Sequence, residues 1–215
     1  YLGGSDTIYV SKDNMYAAIA DYSYDSTASD EESEELKELY SPAYSTGTVV
    51  YKFKLDNGNV DVVSRGSVPG TIINQFSMDE HEGNFRIATT SGEIWQDTSK
   101  NNLYILDSSL KTIGELKGLA AGERIYSTRF AGDRVYMVTY RQVDPLFVID
   151  TSNPEKPVVE GMLKIPGYST YLHIVDENHI LGFGYDTQVN SSGGTTNEGM
   201  KLSLFDVTDP GKPRE

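Results

Sequence analysis

Leu146-Phe147-Val148-Ile149-Asp150-Thr151-Ser152-Asn153-Pro154-Glu155-Lys156-Pro157 is echoed downstream by Leu202-Ser203-Leu204-Phe205-Asp206-Val207-Thr208-Asp209-Pro210-Gly211-Lys212-Pro213. In both stretches an apolar run stops at an aspartate, and Pro, Lys and Pro follow it at the same offsets. Two earlier runs end likewise, Lys54-Leu55-Asp56 and Ile105-Leu106-Asp107. The four aspartates stand 51, 43 and 56 residues apart (107 − 56, 150 − 107, 206 − 150), the period of a unit that holds several strands. A carboxylate at the end of a strand accepts N–H bonds from the residues that follow and starts a turn, so all four read as turn formers rather than catalytic acids.

Each unit parses into four strands, a to d. Strand a covers residues 6–11, 72–77, 125–130 and 170–175 of the four units. Lys12-Asp13-Asn14, Glu82-Gly83-Asn84, Gly132-Asp133 and Glu177-Asn178 supply the a to b turns, because these residue types tolerate tight or positive-φ backbone. Short antiparallel hairpins recurring in fours predict an all-β chain built as a β-propeller, since a four-stranded sheet hides its faces against neighbouring blades. A β-sandwich is the rival, but it offers no reason for the same turn chemistry to recur. The expected blades are 5–69, 70–121, 122–167 and 168–215, one partial propeller. Val158 opens strand d of the third blade, and Arg214 occupies the same register just before the last residue, Glu215. The fourth blade is therefore expected to lack its outer strand, leaving strand c as an edge and two unpaired blade faces. Further blades of a longer parent protein, or a second copy, would cover them. The first residue, Tyr1, likewise points to excision from something longer.

Composition narrows the partners. A formal charge of −14 with no cluster of Lys and Arg repels polyanions, so nucleic acid is not expected to bind. No apolar run approaches the roughly 18 residues of a membrane-spanning helix, so membrane insertion is not expected. The absence of cysteine removes disulfides and thiol chemistry.

Residues beyond the four-strand plan fall between strands b and c, at 23–47, 91–101 and 186–200, while the third blade connects through Arg141 to Pro145 alone. Equivalent connections of stacked repeats share one face, so these insertions mark one rim as the functional one. The first contains Ser29-Asp30-Glu31-Glu32-Ser33-Glu34-Glu35-Leu36-Lys37-Glu38-Leu39-Tyr40, which has capping-box spacing and reads as a short helix or a solvated loop. The third, rich in Gly, Ser and Thr from Asn190 to Gly199, reads as a flexible loop.

Gln75-Phe76-Ser77-Met78-Asp79, Arg86-Ile87-Ala88-Thr89-Thr90, Glu123-Arg124-Ile125-Tyr126-Ser127, Arg141 to Asp150, Pro166 to His173 and Lys201 to Val207 carry a family resemblance. The chain resembles bacterial and archaeal secreted proteins with a C-terminal β-propeller domain distantly related to WD-40 repeats. The resemblance implies a propeller on an extracellular or cell-surface protein, with no catalytic residue to carry over. The Gly-His and Trp-Asp signatures of WD-40 blades are missing.

No catalytic constellation emerges from the residues themselves. Asp79, Glu80, Glu123 and Asp144 are acids near the rims or strand a, and a glycan hydrolase using rim carboxylates is the alternative to a binding protein. His81, His173 and His179 show no two-histidine ligand spacing, so no metal is assigned. Asp56-Asn57-Gly58-Asn59-Val60-Asp61 offers oxygens to calcium, but hairpin geometry accounts for the same residues, and no cofactor is expected. His173 on strand a is expected to be a buried imidazole bonded to backbone. Arg129 is expected between blades beside a carboxylate. The candidate ligand contacts are Arg124, Arg141, Gln142, Asp144, Tyr168, Tyr171 and His173, a polar and aromatic patch on the rim of the third blade. The resulting expectation is a non-enzymatic extracellular module that binds a protein, peptide or glycan on its loop-bearing face.

Overall fold

A computed structural model describes residues 7–24, 44–141, 144–189 and 195–215. The chain forms four antiparallel sheets in sequence order. The first contains β1 (Thr7–Val10), β2 (Asn14–Tyr24), β3 (Tyr44–Asp56) and β4 (Asn59–Pro69). The second contains β5 (Met78–His81), β6 (Asn84–Ser91), β7 (Lys100–Leu106) and β8 (Thr112–Leu119). The third contains β9 (Arg124–Ala131), β10 (Arg134–Tyr140), β11 (Asp144–Asp150) and β12 (Val158–Ile165). The fourth has three strands, β13 (Tyr168–Ile174), β14 (His179–Val189) and β15 (Thr195–Asp206), and a single bridge from Asp206 to Arg214 lies beyond β15. These are blades of a β-propeller.

Two-residue alternation explains the stacking, because successive side chains leave opposite faces of a strand. On β6, Phe85 and Ile87 pack toward the first sheet while Ala88 packs toward the third. On β10, Val135 and Met137 face the second sheet, and Tyr136 and Val138 face the fourth. The second and third blades therefore bury both faces. The Tyr16 and Phe85 rings stack at 4.3 Å across the first joint.

The c to d turns have a second use beyond joining strands. A Cβ placed on Gly66 of β4, Gly114 of β8 or Gly161 of β12 would come closer than 3.0 Å to the carbonyl oxygen of Leu110, Pro154 or Pro210 respectively. Each glycine is thus a notch on an outer strand that admits the c to d turn of the next blade. Those turns are shaped as the aspartates require. Asp107 accepts the N–H of Ser109 at 2.9 Å, Asp150 that of Ser152 at 2.9 Å and Asp206 that of Thr208 at 2.9 Å. The Asp56 turn instead has positive φ at Asn57 (47°) and Gly58 (86°), as a two-residue hairpin demands.

A polar belt crosses the joints near the a to b turns. Glu80 accepts bonds from Ser11 and from Asn14 Nδ2 (2.8 Å), tying blades one and two. Arg86, with a side chain 3% exposed, pairs with Asp79 of its own blade. Its Nη1 donates to Gly132 O (2.7 Å) and Thr151 Oγ1 (2.9 Å) of the next blade.

Several expectations are corrected. Strand a of the second blade is Met78–His81, not 72–77, because Asn74 Oδ1 accepts the Phe76 N–H and starts a 3-10 turn over Gln75–Ser77. The stretch from Asn190 to Gly199 is not a flexible loop throughout: Thr195 to Gly199 belong to β15, paired with β14 up to Val189↔Thr195. Arg129 has no carboxylate partner among the described residues. Its guanidinium lies 4.6 Å from the Phe76 ring centre and 5.0 Å from that of Tyr171, and Nε donates to Leu172 O. His173 is exposed rather than buried, its ring 6.4 Å from that of Tyr171. The helix expected over Ser29 to Tyr40 lies outside the described residues.

Three outcomes follow from this packing. Gly114→Ala should lower unfolding stability by about 1–3 kcal/mol through overpacking against Pro154, read by urea titration. Arg86→Ala should cost about 3–5 kcal/mol, because it leaves Asp79 without its cation and removes the donor to Gly132 O and the Thr151 hydroxyl. The Ser109 hydroxyl, with the Lys111 and Ser109 N–H groups, holds the Asp107 carboxyl below its ordinary value of 3.8. Its stabilising contribution is complete above that value and lost as pH falls through the lower folded-state value. Acid melts of wild type and Asp107→Asn should therefore differ near neutrality and converge at low pH.

Candidate functional site

The b to c and d to a connections of the first three blades open a groove of about 650 Å³ lined by Tyr22, Thr46, Ile73, Thr90, Trp95 and Arg124. Tyr22 and Trp95 are 72% and 76% exposed, so two aromatic faces stand free beside hydroxyls and a cation.

The second insertion is folded to hold Trp95 in place. Gly92 (φ 76°) lets the chain turn close to Thr98, and Thr98 N–H donates to Glu93 O at 3.1 Å. A 3-10 turn over Ile94–Gln96 follows, ended by Asp97 at φ 58°. Trp95 Nε1 donates to Glu93 Oε2 at 2.9 Å, which fixes the indole edge and leaves its face outward. Arg141 pairs with Asp97, and Gly122 N–H donates to Ser99 O at 2.9 Å. Buried Asn101 adds Nδ2 bonds to Leu119 O (3.1 Å) and Glu123 O (3.3 Å). The insertion of blade two is thus fastened to the connection entering blade three.

Of the residues anticipated from sequence, Arg124, Arg141 and Tyr168 come together on this rim. Arg124 lies 4.8 Å over the Tyr126 ring and donates Nη2 to its hydroxyl at 3.0 Å. Tyr168 packs on Tyr126 (4.9 Å), Tyr140 (4.5 Å) and Tyr185 (5.6 Å), making a four-tyrosine cluster. Tyr171 lies farther along β13, its hydroxyl accepting from Arg129 Nη2 at 2.7 Å. His173 is five residues beyond Tyr168 on the same strand, about 16 Å at strand rise, so it belongs nearer the opposite rim. Asp144 opens β11, but its side chain and the whole of Gln142 lie outside the described residues. Sequence reasoning passed over Trp95 and Tyr22 as contacts, although the single tryptophan, set inside an insertion, was a usable signal.

Among the described residues of this rim, Glu123 carries a carboxyl with a raised pKa. Burial raises its pKa, opposed by the Thr139 hydroxyl that donates to it and by the Lys164 and Arg141 charges. A carboxyl of this kind can hold a proton above the ordinary carboxylate range.

The Arg141 and Asp97 side chains are largely exposed, so Arg141→Ala should change stability by no more than about 1 kcal/mol. It should nevertheless loosen the Trp95 platform, seen as lower fluorescence anisotropy of the single tryptophan.

The profile of a family described as Beta propeller domain matches residues 1–215. An uncharacterized protein of Methanocaldococcus jannaschii is 46% identical over 170 residues, covering 78% of this chain and 25% of that protein. An uncharacterized protein of Archaeoglobus fulgidus is 45% identical over 169 residues, covering 78% of this chain and 24% of that protein. The chain spans about a quarter of the length of the curated relatives it matches.

Proposed function

Since the chain belongs to the β-propeller domain family, we propose that it is a non-enzymatic binding module whose loop-bearing rim takes a protein, peptide or glycan. The observation that carries this reading is the groove with Trp95 and Tyr22 exposed on a braced rim beside Arg124. Exposed aromatic faces next to hydroxyls and a cation suit ligands that are part apolar and part polar, and the Trp95 ring, tied at one edge to Glu93, loses little entropy on binding. Interface energy concentrates in such Trp, Tyr and Arg anchors. An extracytoplasmic location is the reading favoured by the resemblance to secreted propeller proteins. Further blades of a longer parent chain, or a second copy, are the partners proposed for the outer faces of the first and fourth sheets. There Val62 and Leu202 are 60% and 61% exposed.

The test is a glycan and peptide array, followed by calorimetric titration of hits into the wild type and a Trp95 variant. Trp95→Ala should weaken a genuine ligand by roughly 10- to 100-fold while leaving the thermal melt unchanged within about 1 °C. Hits that bind the variant equally well would remove the groove as the site.

Glu123 favours a second reading, a glycan hydrolase in which its raised carboxyl is the general acid. Turnover on a glycan panel that vanishes in Glu123→Gln would establish this reading over the first.

A further inference from the structure

On the rim opposite the insertions, the turn from β5 to β6 brings His81 and Glu82 against Asp133 in the turn from β9 to β10. His81 Nε2 lies 3.0 Å from Asp133 Oδ1, and one donor atom from each of the three residues lies within 4.8 Å of the others. One imidazole nitrogen and two carboxylates are a mixed ligand set that borderline divalent cations accept, with metal–ligand bonds of about 2.0–2.2 Å for zinc. Ligand atoms around such an ion stand about 3.3–3.6 Å apart in a tetrahedron. The His81 and Asp133 atoms are already near that spacing, and rotation of the exposed Glu82 side chain closes the remainder. We infer that His81, Glu82 and Asp133 form a binding site for a divalent transition metal of the zinc class, clipping blade two to blade three and leaving one coordination position for water.

The site has a foundation that a chance meeting of surface side chains lacks. Asp133 O accepts both the N–H and the hydroxyl of buried Thr151, each at 2.8 Å. Arg86, 3% exposed, donates to that same hydroxyl and to Gly132 O, so the main chain on either side of the Asp133 Cα is held from beneath. Glu82 sits at φ 50° and Gly83 at φ 80°, a tight turn that fixes where the Glu82 side chain departs. The ligand backbones are thus set before any ion arrives. Glu82 has no hydrogen-bond or ion-pair partner among the described residues. An ion pair between protonated His81 and Asp133 would explain two of the three side chains. A divalent cation explains all three. The net charge of −14 favours cation approach from long range.

The test is calorimetric titration of the chelator-stripped full chain with zinc near pH 7.5. One equivalent should bind with micromolar affinity, and the melting temperature should rise by several degrees at saturation. His81→Ala and Asp133→Asn should each weaken binding at least 10-fold and remove the melting shift, while Glu82→Gln should weaken it about 3- to 10-fold. His179→Ala should leave the single equivalent intact, which separates this site from the exposed His179 and Asp176 pair. Magnesium and calcium, which prefer larger all-oxygen ligand sets, should not compete. Failure of saturable one-to-one binding, or binding unaltered in His81→Ala, would overturn the site. So would a melting temperature that drops in His81→Ala by the same amount with and without zinc, since that is the behaviour of an ion pair alone.

Discussion

A small sheet that is apolar on both faces cannot stay in water alone, and this constraint governs the whole molecule. Phe85 and Ile87 on one side of β6, and Ala88 on the other, require a neighbour on each flank. Stacking supplies both at once, and each blade then depends on contacts that cross a joint. Stability is consequently distributed as a row of joints rather than gathered in one central core.

The joints combine three kinds of contact that act at different radii. Apolar side chains fill the middle of each sheet pair. Nearer the a to b turns lie charged and polar ties, such as Glu80 with Ser11 and Asn14 and Arg86 with Asp79, Gly132 and Thr151. At the outer strands, glycine notches admit the next blade's turn. Apolar contacts supply the driving force but little positional definition, whereas a buried guanidinium and a notch each accept one geometry. With the sheets so defined, the rim connections have a firm base, and an exposed ring such as Trp95 can be held without being buried.

Much of the fold was legible because it is local. The aspartate that ends strand c bonds residues two positions away, so Asp107, Asp150 and Asp206 announce their turns in the sequence. Features misread or passed over depend on distant partners or on competing local chemistry. Ile72 to Ser77 stands where the repeat expects strand a, yet Asn74 diverts it into a 3-10 turn whose Phe76 ring meets Arg129 and Tyr171. Thr195 to Gly199 has loop-like composition, but β14 continues to offer it ladder partners. Arg129 looked like half of a buried ion pair because nothing nearby in sequence betrays the two rings that flank it. The insertions point to the candidate rim from sequence alone, whereas the way Asp97, Arg141 and Asn101 brace it requires contacts across about 20 to 45 positions of sequence.

The notch and the turn that fills it recur at three joints, at Gly66 with Leu110, Gly114 with Pro154 and Gly161 with Pro210. Every blade that shows both parts therefore carries a socket for its successor and a plug for its predecessor. Such an arrangement encodes adjacency but not number. A blade gained by tandem duplication, or lost by recombination, would leave the surviving sockets and plugs matched, so the lineage can change its blade count without redesigning a single joint. Ring size would then be set by geometry accumulated over the joints, the small rotation from each blade to the next, rather than by any residue that specifies a total.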